Sequence, residues 1–149
     1  MEFDNGVSLT LMYRKPATTF NQKAEALYQQ NVLSVMEEVW HKEGERIDLV
    51  IFLNGIAIFT FELKCNTSGQ NYEDAIRQYK FERDYKTRLL KFKAGCLAHF
   101  AMDLNEVYMC TNLKGKSSFF LPFNKGCGIG IHSGKGNPHN ENGINVSYM

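Results

Sequence analysis

Two apolar runs separated by a single Asn-Gly pair constrain this chain more than any other feature. Residues 47–53 (IDLVIFL) and 56–61 (IAIFTF) flank Asn54-Gly55. Asn-Gly between β-branched and aromatic runs is a strong hairpin signal, because both residues accept the positive φ that a tight turn imposes. Runs this continuous are covered on both faces, so the two strands should be central in a sheet. The chain has 149 residues, 44% of them apolar and 22% charged, which suits one globular domain built around such a sheet. Lys and Arg exceed Asp and Glu by 17 to 16, so any nucleic-acid surface has to come from local clustering of basic residues. No stretch approaches the roughly 20 apolar residues of a membrane span, and MEFDNG does not open a secretory leader. A cytoplasmic protein with no membrane partner is expected. Cys65, Cys96, Cys110 and Cys127 show no zinc spacing and are expected as reduced, mostly buried thiols.

Other elements follow from periodicity. Residues 7–14 (VSLTLMYR) alternate like a strand that ends at Lys15-Pro16. Thr19 and Gln22 have capping-box spacing, so a helix should begin near residue 20, with Ala24, Leu27 and Tyr28 on one face. Val32, Val35, Met36, Val39 and Trp40 continue that face at helical spacing, while the β-branched run beginning at Val32 suits a strand. After a break at Thr67-Ser68-Gly69, Tyr72, Ala75, Ile76 and Tyr79 mark a second helix reaching roughly Tyr85. Residues 96–102 and 107–112 read as two more strands joined by a turn at 103–106. Six of the chain's 12 glycines lie beyond Phe123, so about 124–149 should be irregular.

Charged residues are costly inside apolar strands, yet Asp48 opens the first hairpin strand while Glu62-Leu63-Lys64 closes the second. Neighbouring carboxylates repel unless a cation lies between them, and hard oxygen donors suit Mg²⁺. The strand period of two puts Lys64 on the face of Glu62. A two-residue turn with regular pairing would set Asp48 opposite Phe61 and send the carboxylates to opposite faces. A three-residue loop, Leu53-Asn54-Gly55, or an equivalent bulge near Asp48, would pair Asp48 with Thr60 and keep Glu62 on its face. The plainer alternative is that these residues are solvated strand ends or a structural ion pair. Between residues 77 and 93, seven basic residues stand against Glu82 and Asp84, as a polyanionic substrate would require, although basic residues are also the usual wet face of a helix.

Other motifs fail on spacing. Gly115-Lys116-Ser117 lacks the glycine of a phosphate-binding loop at Cys110, so no nucleotide site is expected. Gly126, Gly128 and Gly130 lack a dinucleotide fingerprint. His41, His99, His132 and His139 have no catalytic or metal spacing, and His99 reads as a satisfied sheet residue.

The order of IDLV at 47–50, FLNG at 52–55, ELK at 62–64, AIRQY at 75–79, HFA at 99–101 and FLPFN at 120–124 resembles the N-terminal nuclease domain of type I restriction enzyme R subunits. The resemblance spans roughly residues 20–148. It implies an α/β fold of the PD-(D/E)xK superfamily, a central mixed sheet flanked by helices, with a core over about 20–113. The chain, 1–149, would be a single nuclease domain and a fragment of a longer R subunit. The implied activity is Mg²⁺-dependent cleavage of double-stranded DNA, with Mn²⁺ able to substitute. Asp48, Glu62 and the Leu63 backbone carbonyl would hold the metal, Lys64 would be the catalytic lysine, and Gln78 the glutamine of a Q-x-x-x-Y element whose tyrosine position holds Glu82. Arg77, Lys80 and Arg83 would face DNA. The resemblance also reads residues 33–41 as the first sheet strand, which brings Glu38 near the site. Full R subunits of the family carry an ATP-driven motor and work with methylation and specificity subunits. The competing readings are another nuclease of the superfamily, acting in repair or on junctions, and a non-catalytic module that binds DNA or protein.

Overall fold

A computed structural model describes residues 10–18, 20–124 and 126. Its centre is the expected hairpin, β2 (Glu45–Leu53) and β3 (Ile56–Leu63). Asn54 and Gly55 both have positive φ, 51° and 80°, and Leu53 pairs with Ile56 across this two-residue turn. The Asn54 side chain ties in the segment before the sheet, accepting from the Val32 N–H and donating to the Leu11 carbonyl. β1 (Leu33–Lys42) lies antiparallel on the outer side of β2. The periodicity of residues 32–40 is thus overruled, because the β2 edge offers a hydrogen-bonding ladder that an exposed helix would forgo.

The remaining strands are β4 (Ala98–Met102), β5 (Val107–Cys110) and the short β6 (Leu121–Pro122). Together they form a mixed six-stranded sheet in sequence order, antiparallel throughout except where β4 runs parallel to β3. A parallel neighbour needs a crossover, and residues 64–97 supply it. Within it lies α2 (Tyr72–Arg77), started by a capping box in which Asn71 accepts from Glu73 and Asp74 accepts from Asn71. One widened turn, Gln78–Glu82, follows and ends the helix at residue 82. The helix therefore stops short of Tyr85. Asp84 caps the next turn through the Lys86 N–H, so Lys86, Arg88, Lys91 and Lys93 lie on successive turns beyond the helix.

The earlier helix, α1 (Gln22–Tyr28), is capped by Asn21 and buries none of its residues. Residues 10–14 form no strand; residues 7–9, Thr19 and the glycine-rich segment after Gly126 lie outside the described residues. Among those described, Cys96 and Cys110 are buried free thiols, Cys65 is an exposed one, and no helix is long and apolar enough to cross a membrane.

The core lies between α2 and one sheet face, where Ile47, Val50, Ala75, Tyr79, Leu90, Ala101, Cys110 and Leu113 are buried together. Inside it the Thr60 hydroxyl bonds both the Tyr79 hydroxyl at 2.9 Å and His99 Nδ1 at 2.7 Å. His99 is thus a satisfied sheet residue, and burial pushes its pKa down from 6.5 to about 4. The folded state then keeps the ring neutral while the unfolded chain protonates, so this stabilisation is full above pH 6.5 and lost as pH falls towards 4. The swing is worth up to about 3 kcal/mol. His99→Asn should be less stable than the parent at pH 7.5 and should close that gap on acidification. Urea unfolding of both proteins between pH 7.5 and 4 measures it, and a gap independent of pH would reject the assignment.

Candidate active site at the hairpin mouth

The two charged strand ends meet because of one irregularity in β3. Pairing is regular from Leu49↔Phe61 through Ile51↔Phe59, then shifts so that Phe52 faces Ala57 and Ile58 is an extra residue. The unpaired Ile58 gives its carbonyl to the Leu97 N–H at 2.8 Å. A bulge of one residue turns the register of a two-residue hairpin by one step, which is the shift the carboxylates require. The three-residue loop expected at Leu53-Asn54-Gly55, with its pairing of Asp48 to Thr60, is therefore corrected: Val50 faces Thr60. One step beyond Leu49↔Phe61, Asp48 stands across from Glu62 on a shared face.

Asp48 caps the end of β3 by accepting from the Leu63 N–H at 2.7 Å. With Glu37, Glu38, Leu49, Leu63 and Lys64 it lines an open cleft of about 420 Å³. Glu38 has a φ of 53° within β1 and pairs with Arg46 on the outer side of the hairpin. Lys64 also borders a smaller polar cleft of about 120 Å³ with Gln70, Asp74, Arg77, Gln78 and Glu82. Gln78 Oε1 is buried there without a hydrogen-bond partner. Arg77 reaches Glu82 at 3.9 Å on the surface, and Lys80 is half-buried, its charge acting on Cys110.

Glu62 is fully buried and paired with Arg83, whose Nε and Nη2 lie 2.7 and 3.3 Å from its two oxygens. Burial pushes the Glu62 carboxyl up to about 7; the guanidinium pulls the other way, nearby Asp48 adds to the rise, and Lys64 opposes it. Burial alone would lower the Arg83 pKa, yet its bond to the ionised Glu62 carries it above the ordinary value. Arg83, expected to face DNA, is turned inward instead. The widened turn explains how: the Arg83 N–H bonds the Gln78 carbonyl five residues back, so Arg83 takes the place one turn on from Gln78 where Glu82 was expected. A buried glutamate requires a cation, but nothing in the sequence marks which of the seven nearby basic residues supplies it.

The structure thus brings Asp48, Glu62, Leu63 and Lys64 together, with Gln78 across Lys64 and Glu38 at the rim. Comparison with protein families decides the affiliation. The model of the family described as type I restriction enzyme R protein N terminus matches residues 11–118, more than half of the chain. The chain belongs to that family. Comparison with curated proteins and with solved structures gives no match. The part matched as R protein N terminus includes Asp48, Glu62, Lys64, Gln78 and Arg83 and ends before the FLPFN segment at 120–124, whose Asn124 closes β5 by accepting from the Val107 N–H at 2.6 Å. Among the described residues of this R protein N terminus, no three His, Cys, Asp or Glu side chains are grouped so as to hold a metal ion.

Proposed function

We propose that this R protein N-terminal domain is a Mg²⁺-dependent endonuclease of the PD-(D/E)xK type, cutting both strands of duplex DNA within a type I restriction complex. One observation carries the reading. In a member of this family, the Ile58 bulge puts Asp48 and Glu62 on one face of a hairpin beside Lys64.

The donor set fits a divalent cation: both carboxylates offer hard oxygens, and burial, with Asp48 adding to it, raises the proton affinity of Glu62, which a bound cation would offset. Asp48, Glu62 and the Leu63 carbonyl would hold Mg²⁺ or Mn²⁺, which when bound polarises a phosphate and acidifies a water. Lys64, between the two clefts, orients the attacking water and holds a proton at Nζ. Gln78 donates to a phosphate oxygen through its amide nitrogen, and Arg77 and Lys80 counter the charge of the backbone. Glu38 at the rim keeps Arg46 from the cleft. Nucleotide hydrolysis and sequence reading belong to the motor and partner subunits of the assembled enzyme, with the methylation and specificity subunits as the partners.

Calorimetric titration with Mn²⁺ in the presence of a short DNA duplex tests this without needing those subunits. Saturable binding that Asp48→Ala weakens at least tenfold is the expected result. No binding to the parent protein would reject the nuclease in favour of a fold used only to bind DNA or protein.

A further inference from the structure

We propose that Arg83 is an internal counter-cation that closes the carboxylate site until a DNA phosphate takes its guanidinium, so that DNA and the divalent cation bind cooperatively. The inference rests on the nuclease reading and adds its regulation. It begins with occupancy: both Glu62 oxygens face Arg83, at 2.7 and 3.3 Å, and the Glu62 side chain has no exposure. Asp48 commits one oxygen to the Leu63 N–H at 2.7 Å. With Arg83 lying over both oxygens and the Glu62 side chain unexposed, a cation reaches the remaining lone pairs of Glu62 only when Arg83 moves.

The movable part is the Arg83 side chain. Its own N–H is fixed to the Gln78 carbonyl at 3.0 Å, and the next residue is anchored to the β1–β2 turn by Asp84 N to Glu45 at 2.8 Å and Lys42 to Asp84 at 3.2 Å. The side chain retains 10% exposure, so it lies at the surface of the core and not in its depth. A planar guanidinium fork matches a phosphate as well as it matches a carboxylate. Exposed Arg77, which borders the cleft of Lys64 and Gln78, draws a phosphodiester to this side of the helix.

Departure of Arg83 without replacement leaves Glu62 and Asp48 facing each other as like charges. The exchange is favourable only when a phosphate receives the guanidinium and a cation receives the carboxylates. Each ligand then raises the affinity for the other by the same factor.

Mn²⁺ titration of the parent and of Arg83→Met, with and without a short DNA duplex, tests the exchange. The duplex should tighten Mn²⁺ binding to the parent about tenfold or more. Arg83→Met should bind Mn²⁺ more tightly than the parent in the absence of DNA and gain less than about threefold from the duplex. The Arg83 Nε–H resonance, assigned by its loss in Arg83→Lys, gives a reading on the intact protein should Arg83→Met fail to fold. It should keep its position with Mg²⁺ alone at low concentration and move when duplex and Mg²⁺ are both saturating. Binding of Mn²⁺ that is indifferent to DNA and to Arg83, or a resonance unmoved at saturation, overturns the exchange while leaving the nuclease reading standing. Absence of Mn²⁺ binding in every protein, with and without duplex, overturns both.

Discussion

Arg83→Met falls short of the parent in stability by about 1 kcal/mol more at pH 8 than at pH 5, and adding Glu62→Gln removes that extra loss. The size follows from where the charges sit. Glu62 has no exposure and Arg83 little, so without the guanidinium the buried carboxyl holds its proton to higher pH, and the loss equals the ionisation it forgoes. Removing both charges together leaves no carboxyl to ionise, and buried ion pairs replaced by neutral groups of similar volume commonly leave stability unchanged or improved. The sign with pH is also fixed. In the parent, the Glu62 pKa is raised from 4.5 to about 7, so the folded state binds a proton that the unfolded chain releases. Stability from that proton is complete below pH 4.5 and lost as pH rises through 7. Without the guanidinium the carboxyl rises further, so the deficit of Arg83→Met is small at pH 5 and grows above 7. Urea unfolding of the parent, both single variants and the double variant at pH 5 and 8 measures this cycle. Equal deficits at the two pH values would assign the effect to packing of the arginine stem instead of charge.

The hairpin, the start of α2 and the β4–β5 pair were legible in the sequence because each rests on local chemistry: Asn-Gly in positive φ, the Thr67-Ser68-Gly69 break followed by an apolar helical stripe, and short apolar runs on either side of a turn. Strand β1 was not legible from periodicity. Val35, Met36, Val39 and Trp40 keep helical spacing, and Val35, Met36 and Trp40 remain exposed in the strand, so burial never imposed a period of two there. The resemblance supplied that strand where spacing did not. At the site, the requirement that Asp48 and Glu62 share a face was legible, since it follows from the strand period alone. The device that meets the requirement was not: Ile58 is one apolar residue among several, and its extra position is set by the Leu97 N–H from a segment 39 residues away. Arg83 was hidden for a related reason. Its inward turn depends on one widened helical turn after α2, which converts the expected Gln78-to-Glu82 relation into Gln78-to-Arg83. Composition shows a basic stretch there, and only the backbone decides which member of it faces the core.

Lys64→Ala lowers the DNA cleavage rate about 10²–10⁴-fold in the full R protein assembled with its partner subunits, the usual range for loss of a positioned proton-handling group. Its ground is placement. Lys64 follows Glu62 by two residues on β3's line, borders both the Asp48 cleft and the Gln78 cleft, and acts electrostatically on Glu62. The Lys64 N–H bonds the Met102 carbonyl at 2.9 Å, so the backbone beneath the side chain is held by the parallel strand β4 and survives the substitution. DNA affinity should then fall by no more than one phosphate contact, with a salt slope lower by about one. Lys64→Arg separates the two roles of the ammonium. An arginine keeps the charge but does not exchange its proton near neutrality, so a rate as low as that of Lys64→Ala assigns proton handling to Lys64, and a rate restored to the parent value assigns charge alone. Single-turnover cleavage at saturating protein, beside a binding titration at two salt concentrations, reads both quantities. Cleavage unaffected by either substitution would remove Lys64 from the chemistry and leave it as a surface cation of the hairpin mouth.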